Sequence, residues 1–492
     1  MTHILLRGGH VIDPAEGVDQ VQDVLVSGDR VSAIGTNLPE PDGATVHDVT
    51  GMVVGPGFID MHSHVHSVAG QRLQAFDGVT TALDLESGLM PLEKAYRDAA
   101  EQGRPLHYGF SASWGGARAA VLAGVEQTAD IVHSLGVLGN PLWQASSTPA
   151  QLDQWIELLR REIADGALGI GVLIGYAPRS DPAEYLAVAR LAAEAGVPTY
   201  THIRELVEAD PTTPIDGAEE LVRAAAETGA AMHHCHVNST SRRHVDRVLG
   251  TITRSREAGS RVTVEAYPYG AGSTAIGAAF LAPERLAAFG LTPQKLVLLP
   301  SGERIADVAR LRQLREEQPG SPCIVEFFDD NDPSDQRLLR DALAYPDAIV
   351  ASDAMPVLWT DGRVESTDWP LPPGGSTHPR TAGTFTRALR TMVRESGTWS
   401  WVEAFRRCSY LPARVLDDVT PAARRKGHLA PGADADLVVL DPDRVTDLAT
   451  YLDPTRPAEG VRHLLVAGTP VICEGLLVED AFPGRAVRGE PR

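Results

Sequence analysis

The segment Phe58-Ile59-Asp60-Met61-His62-Ser63-His64 ends an apolar run with two imidazoles two residues apart. In an extended chain such residues project to the same side, so His62 and His64 can aim at one metal ion. Other apolar runs end in similar donors: Asp84-Leu85-Glu86, His202-Ile203-Arg204-Glu205, His233-His234-Cys235-His236 and Ser352-Asp353. A lone His-x-His is more often surface or structure than a ligand pair, and a histidine closing a buried strand is often a satisfied core residue. Repetition at successive run ends is a much rarer accident. His62, His64, His202 and His236 with Glu86 and Asp353 make a donor set for zinc or a similar divalent ion. His66 and His233 read as packing or supporting neighbours.

Such donors must be carried by elements that converge. Eight strand-like runs are expected at 58–65, 79–86, 107–113, 167–174, 197–203, 230–237, 261–268 and 348–353. Most precede Ala/Leu/Arg/Glu-rich helical stretches such as 149–164, 182–195 and 216–228. Continuous apolar strands alternating with helices predict a parallel sheet covered on both faces, and eight of them an α/β fold of the closed (β/α)8 (TIM) barrel type. Barrel sites lie at the C-terminal ends of the strands, where these donors fall. The interval before the eighth strand is too long for one helix, so 274–347 is expected to hold a small inserted subdomain. Residues 1–55 and 425–492 are both rich in short strands and are expected to form one β-sandwich domain around the 56–424 barrel.

The composition sets outer limits. With 492 residues, 44 Lys+Arg and 65 Asp+Glu, the chain carries a net charge of −21. That excess argues against nucleic acid or an anionic membrane surface as the main partner. Four dispersed cysteines without a Cys-x-x-Cys pair make no disulfide framework. No signal peptide and no membrane span are expected, which predicts a cytoplasmic protein. The oligomeric state stays open. Gly270-Ala271-Gly272-Ser273-Thr274-Ala275 looks like a dinucleotide loop but lies outside any doubly wound unit. Asn238-Ser239-Thr240 matches a glycosylation sequon that a cytoplasmic chain would not use. There is no Gly-x-Ser-x-Gly elbow and no His-Glu-x-x-His.

Five further segments carry a family resemblance. They are Gly55-Pro56-Gly57-Phe58 leading to His64, Gly78-Val79-Thr80-Thr81, Tyr267-Pro268-Tyr269 with Ala271-Gly272-Ser273-Thr274, His378-Pro379-Arg380 with Gly383-Thr384-Phe385, and Gly432-Ala433-Asp434-Ala435-Asp436. Across nearly its whole length the chain resembles the amidohydrolase superfamily, in particular its D-aminoacylase branch. The resemblance implies a metal-dependent barrel that cleaves N-acyl-D-amino acids, a small-molecule substrate. Two positions depart from the branch. Glu86-Ser87-Gly88 stands where its members place a metal-ligating cysteine, and Asn238 stands where they tend to carry a lysine. Both features resemble the N-acyl-D-glutamate deacylases, which implies an acidic substrate side chain. No lysine lies between Lys94 and Lys295, so the carbamylated lysine that bridges metals in dihydropyrimidinase-type relatives has no counterpart.

On this resemblance His202, His236 and Glu86 hold one zinc ion, and His62 and His64 serve a second position. Glu86 exchanges a thiolate for a carboxylate that can bridge two ions and widens the choice toward Mn²⁺ or Fe²⁺. Asp353 joins the metal site and shuttles the proton between water and leaving amine. Arg380 is expected to grip the substrate α-carboxylate, assisted by Tyr267 and Ser273. Tyr176, Asn238 and Arg204 complete the expected substrate contacts, with Arg204 or Arg179 as a second anchor for an acidic side chain. Open alternatives are another Glu-bridged hydrolase, acting on N-acetyl sugars or cyclic amides, and a non-catalytic scaffold of the same fold.

Overall fold

The computed structural model describes residues 2–490. Eight parallel strands follow one another: Phe58–Asp60, Val79–Leu89, His107–Ser113, Ile170–Val172, Thr199–Thr201, Met232–His234, Val262–Ala266 and Ala348–Val350. Each falls on one of the expected runs. Every residue of the second and third is buried, as in a sheet covered on both faces. Five of the eight ladders last only three residues.

The first and eighth strands are joined by side-chain and loop bonds. The Asp60 carboxylate accepts from the Ser352 backbone N–H at 3.0 Å and from the Ser352 hydroxyl, and the His64 N–H donates to Ala354 O at 2.8 Å. This closes a (β/α)8 barrel and brings His62 and His64 beside Asp353.

The helices start where the sequence signals them. Pro149–Ala164 and Pro182–Ala195 each open with proline in the first turn behind a reciprocal cap, Thr148 with Gln151 and Asp181 with Glu184. Gly217–Thr228 is capped by Asp216.

Outside the barrel, Val53–Pro56 pairs antiparallel with Leu437–Leu440 and so joins the two ends of the chain. The resulting sheet has nine strands, eight on one hydrogen-bonded path and Thr45–Asp48 paired off it with His3–Asp13, and a core of its own that includes Ile4, Leu6, Val24, Val54, Leu437 and Val439. A further four-stranded antiparallel sheet comprises Ala271–Ala275, Leu296–Leu298, Glu303–Arg304 and Pro322–Glu326. The glycine-rich segment from Gly270 is thus a paired strand, ending its resemblance to a nucleotide loop. The helix Pro333–Ala344 then leads into the last barrel strand.

Candidate metal centre

Glu86 reaches the barrel mouth through a break in register. The second strand pairs Asp84 with Phe110 but Leu89 with Ala112, so the residues between them bulge out of the ladder. Gly88 permits the bulge: its φ is +62°, and a Cβ there would lie 2.5 Å from Ser111 O. His236 and Asp353, at the ends of the sixth and eighth strands, also have positive φ values of 34° and 50°. Non-glycine residues held in this sparsely populated region often mark functional sites. At Gly175 any side chain would collide with the His202 ring.

One carboxylate faces two imidazole pairs. Glu86 Oε2 lies 3.1 Å from His62 Nε2 and 3.6 Å from His64 Nε2. Glu86 Oε1 lies 2.7 Å from His236 Nε2 and 3.2 Å from His202 Nδ1. Within the pairs, His62 and His64 approach to 3.2 Å and His202 and His236 to 3.1 Å. Tetrahedral zinc with bonds of about 2.0–2.1 Å sets its ligand nitrogens about 3.3 Å apart, so both pairs are spaced as metal ligands. Asp353 Oδ1 stands 3.5 Å from His62 Nε2 and 3.7 Å from His64 Nε2. The donor set therefore fits a divalent cation.

Buried carboxylates behind the imidazoles orient them. Glu265 Oε1 is 2.5 Å from His62 Nδ1, and its other oxygen is 2.9 Å from His233 Nε2. Asp84 lies 3.1 Å from His64 Nδ1 and 2.9 Å from His66 Nε2. His66 and His233 are thus supporting neighbours, as expected. Carboxylate–histidine pairs of this kind fix ring orientation and raise ligand basicity. Sequence reading missed the part played by Glu265. Its signal was a charge inside the buried run Val262-Thr263-Val264-Glu265-Ala266, which must find a partner.

The local field favours positive charge. Burial alone would raise the Glu86 carboxyl, but His62, His236 and His202 hold it well below the usual carboxylate range. Burial opposes charge on His64, yet Asp84 beside it lifts its pKa to about 9. His202 is pushed down, chiefly by burial. Four buried carboxylates, Glu86, Glu265, Asp84 and Asp353, stand around the imidazoles, and Arg380 is the guanidinium paired with one of them.

Beside the donors opens a cavity of about 1010 Å³, its mouth included. Its walls are mostly apolar, with Leu135, Leu138, Phe280, Phe289, Leu291 and Met355 prominent. Leu135 and Leu138 come from an excursion after the third strand that sequence reading did not connect to the site. Tyr267, Ser273 and Tyr176 line the cavity as well. The Tyr267 and Ser273 hydroxyls are buried without hydrogen-bond partners, whereas Tyr176 accepts from Thr274 at 3.0 Å. Arg380 stands directly behind Tyr267 and Asp353. Its side chain is fully buried, Nη2 is 2.8 Å from Asp353 Oδ1, and the guanidinium carbon is 4.9 Å from the centre of the Tyr267 ring. None of its three nitrogens makes a well-directed hydrogen bond.

Three substrate contacts are placed differently from expectation. Arg204 is fully occupied: it grips both Glu220 oxygens at 2.9 Å and donates to Pro178 O at 2.6 Å. Arg179 is exposed and outside the cavity wall. Asn238 is buried behind the wall and accepts from the Tyr267 N–H at 3.3 Å. Arg204 does border the cavity, but with its donors taken; the second arginine on the wall is Arg242, which sequence reading did not single out. It stacks on Phe289 at 4.3 Å and donates to Phe289 O at 3.3 Å. Among the described residues, no carboxylate lies within ion-pair distance of it.

Fold and site together define a metal-dependent hydrolase built on a (β/α)8 barrel. The chain belongs to the amidohydrolase family, which matches residues 45–472, and is accordingly a hydrolase of amide bonds. It is 30% identical to D-aminoacylase of Alcaligenes xylosoxydans xylosoxydans, over 98% of this chain and 96% of that protein. It is 28% identical to N-acyl-D-glutamate deacylase of the same organism, over 99% and 96%. The crystal structure of N-acyl-D-glutamate deacylase from Bordetella bronchiseptica, complexed with zinc and a phosphonate mimic of the tetrahedral intermediate, matches with a TM-score of 0.76. That match has 25% identity and covers 99% of both chains. Dihydropyrimidinase from Brevibacillus agri shares the fold at a TM-score of 0.61 and 20% identity. Among the described residues, no helix is long and apolar enough to cross a membrane.

Proposed function

We propose that the chain hydrolyses N-acyl-D-amino acids at a zinc centre held by His62, His64, Glu86, His202 and His236, with Asp353 as proton shuttle. The observation that carries this is Glu86 set between two histidine pairs with Asp353 alongside, at the mouth of an amidohydrolase barrel. The D-aminoacylase and N-acyl-D-glutamate deacylase relatives support the substrate class and configuration. The zinc in the Bordetella enzyme supports the metal. The 56–424 barrel and the terminal-strand domain are the framework of this site.

When bound, zinc supplies Lewis-acid polarisation of the amide carbonyl and acidifies water. Asp353 accepts a proton from the attacking water and returns it to the departing amine, acting as base and then as acid. Arg380 holds the α-carboxylate from behind the wall formed by Tyr267 and Gly272, and the free Tyr267 and Ser273 hydroxyls add hydrogen bonds. The apolar walls take the acyl group. Arg242, at the far side, receives an acidic substrate side chain in the role expected of Arg204. Carboxylate anchor, reacting centre and side-chain site then fix three substituents of the α-carbon, which selects one enantiomer.

The test is a panel of N-acetyl-D- and L-amino acids with metal-replete and chelator-treated enzyme. D substrates, led by D-glutamate, should turn over only with metal restored. Equal turnover of the enantiomers would overturn the proposal.

A further inference from the structure

Far along the chain from the barrel donors, the terminal sheet gathers a second set of metal-ligating side chains. His47 lies on the strand Thr45–Asp48, His463 on Val461–Val466, and Cys473 ends Thr469–Cys473. One donor atom from each lies within 4.8 Å of the others. Glu474, next along the chain, places Oε1 3.6 Å from both His47 Nδ1 and His463 Nε2. We propose that His47, His463, Cys473 and Glu474 form a second site for a thiophilic divalent cation, of the zinc or cobalt type, separate from the barrel centre.

The chemistry of the four residues supports this. Two imidazoles, a thiol and a carboxylate are a borderline-soft donor set that suits tetrahedral zinc. The two rings also lie against one another, with centroids 4.4 Å apart, so both imidazoles face the same point. Glu474 is already oriented. Arg462 Nη2 pairs with Glu474 Oε2, leaving Oε1 turned toward the rings. An outer partner that aims a ligand in this way is a usual part of metal sites.

The donors need to close by about 1 Å to reach tetrahedral spacing with bonds of roughly 2.0–2.3 Å. His463 is rigid, with its side chain 4% exposed, but the others have room to move. The His47 side chain is 13% exposed, Glu474 49%, and Cys473 is half-buried. Because His47 comes from the N-terminal strands and the rest from the C-terminal ones, a bound cation would clip the two ends of the chain together. None of the four residues belongs to the proposed catalytic machinery.

Cobalt titration of chelator-stripped full-length enzyme tests the proposal. Cysteine ligation should give a near-ultraviolet thiolate-to-cobalt charge-transfer band that saturates at one equivalent above the barrel's complement. Cys473→Ser should abolish the band while leaving deacylation by the zinc-reloaded enzyme unchanged. His47→Gln, at a half-buried position that folding should tolerate, should weaken cobalt binding at the band by at least about tenfold, since loss of even an outer partner costs 10–100-fold. Cys235, which lies against His62, is the one other thiol near metal donors among the described residues, and Cys235→Ser should leave the band intact. Absence of a thiolate band, or a band that survives Cys473→Ser, would overturn the proposal. Loss of the barrel metal alone would leave the band in place, so the two sites are tested independently.

Discussion

Replacing Arg380 separates two roles that its position allows. Its guanidinium is fully buried, 2.8 Å from Asp353 Oδ1, and has no well-directed hydrogen bond. It can bind a substrate carboxylate with two parallel bonds, or it can act only on Asp353. Hydrogen bonds to charged groups contribute about 1.5–3 kcal/mol each, so losing a bidentate grip costs about 3–6 kcal/mol. At 1.4 kcal/mol per factor of ten, Arg380→Met should lower kcat/KM for an N-acetyl-D-amino acid by roughly 10²–10⁴.

The assay is a cycle between enzyme and substrate. Wild type and Arg380→Met are each assayed on N-acetyl-D-glutamate and on the matching N-acetyl amine without the α-carboxylate. If Arg380 binds the carboxylate, wild type loses the same large factor on the truncated substrate, and the substitution then costs that substrate little more. If Arg380 acts only through Asp353, the substitution costs both substrates equally. That second outcome, with metal content unchanged, would refute the assignment of Arg380 as the carboxylate anchor.

Asp353→Asn should retain most of the metal, measured by elemental analysis, while turnover falls by about 10² or more, the share of a positioned acid–base group. Glu86→Ala should lower metal stoichiometry, from as many as two ions per chain in wild type, because it removes the carboxylate facing both histidine pairs. Arg242→Leu should shift the ratio of kcat/KM for D-glutamate over D-leucine substrates by about tenfold or more toward leucine, the worth of one charge-assisted bond. At the base of the barrel, His107 and Lys426 hold buried Asp436 well below the usual carboxylate range, although burial opposes its charge. A lowered carboxylate contributes stability above its ordinary pKa of about 4 and loses it as pH falls further. Asp436→Asn leaves Lys426 with Asp434 alone, at 3.0 Å, so it should destabilise at neutral pH by less than the roughly 3–5 kcal/mol of a fully broken buried pair, and the gap in Tm to wild type should narrow in acid.

How far the site was legible in the sequence depends on how local each signal is. Strand and helix positions follow from apolar runs and from caps such as Thr148-Pro149 and Asp181-Pro182, which are decided within a few residues. The convergence of the six side chains was legible because a barrel turns strand ends into one place. The engagement of Arg204 was hidden for the opposite reason. The residue ends a strand beside His202, but its partner Glu220 sits sixteen residues on, across a loop and on a helix, and nothing local says that helix will present a carboxylate there. Arg242, Leu135 and Phe280 reach the cavity from three separate excursions, so their convergence is a property of packing alone. Glu86 falls between these cases. Its residue type was readable, but its ability to serve both histidine pairs depends on the slipped register between Asp84 and Leu89. A one-residue change in register turns a side chain to the opposite face of a sheet. With the bulge removed, Glu86 would stay in the ladder between the second and third strands. The same sequence of donors would then lack the carboxylate that joins its two halves.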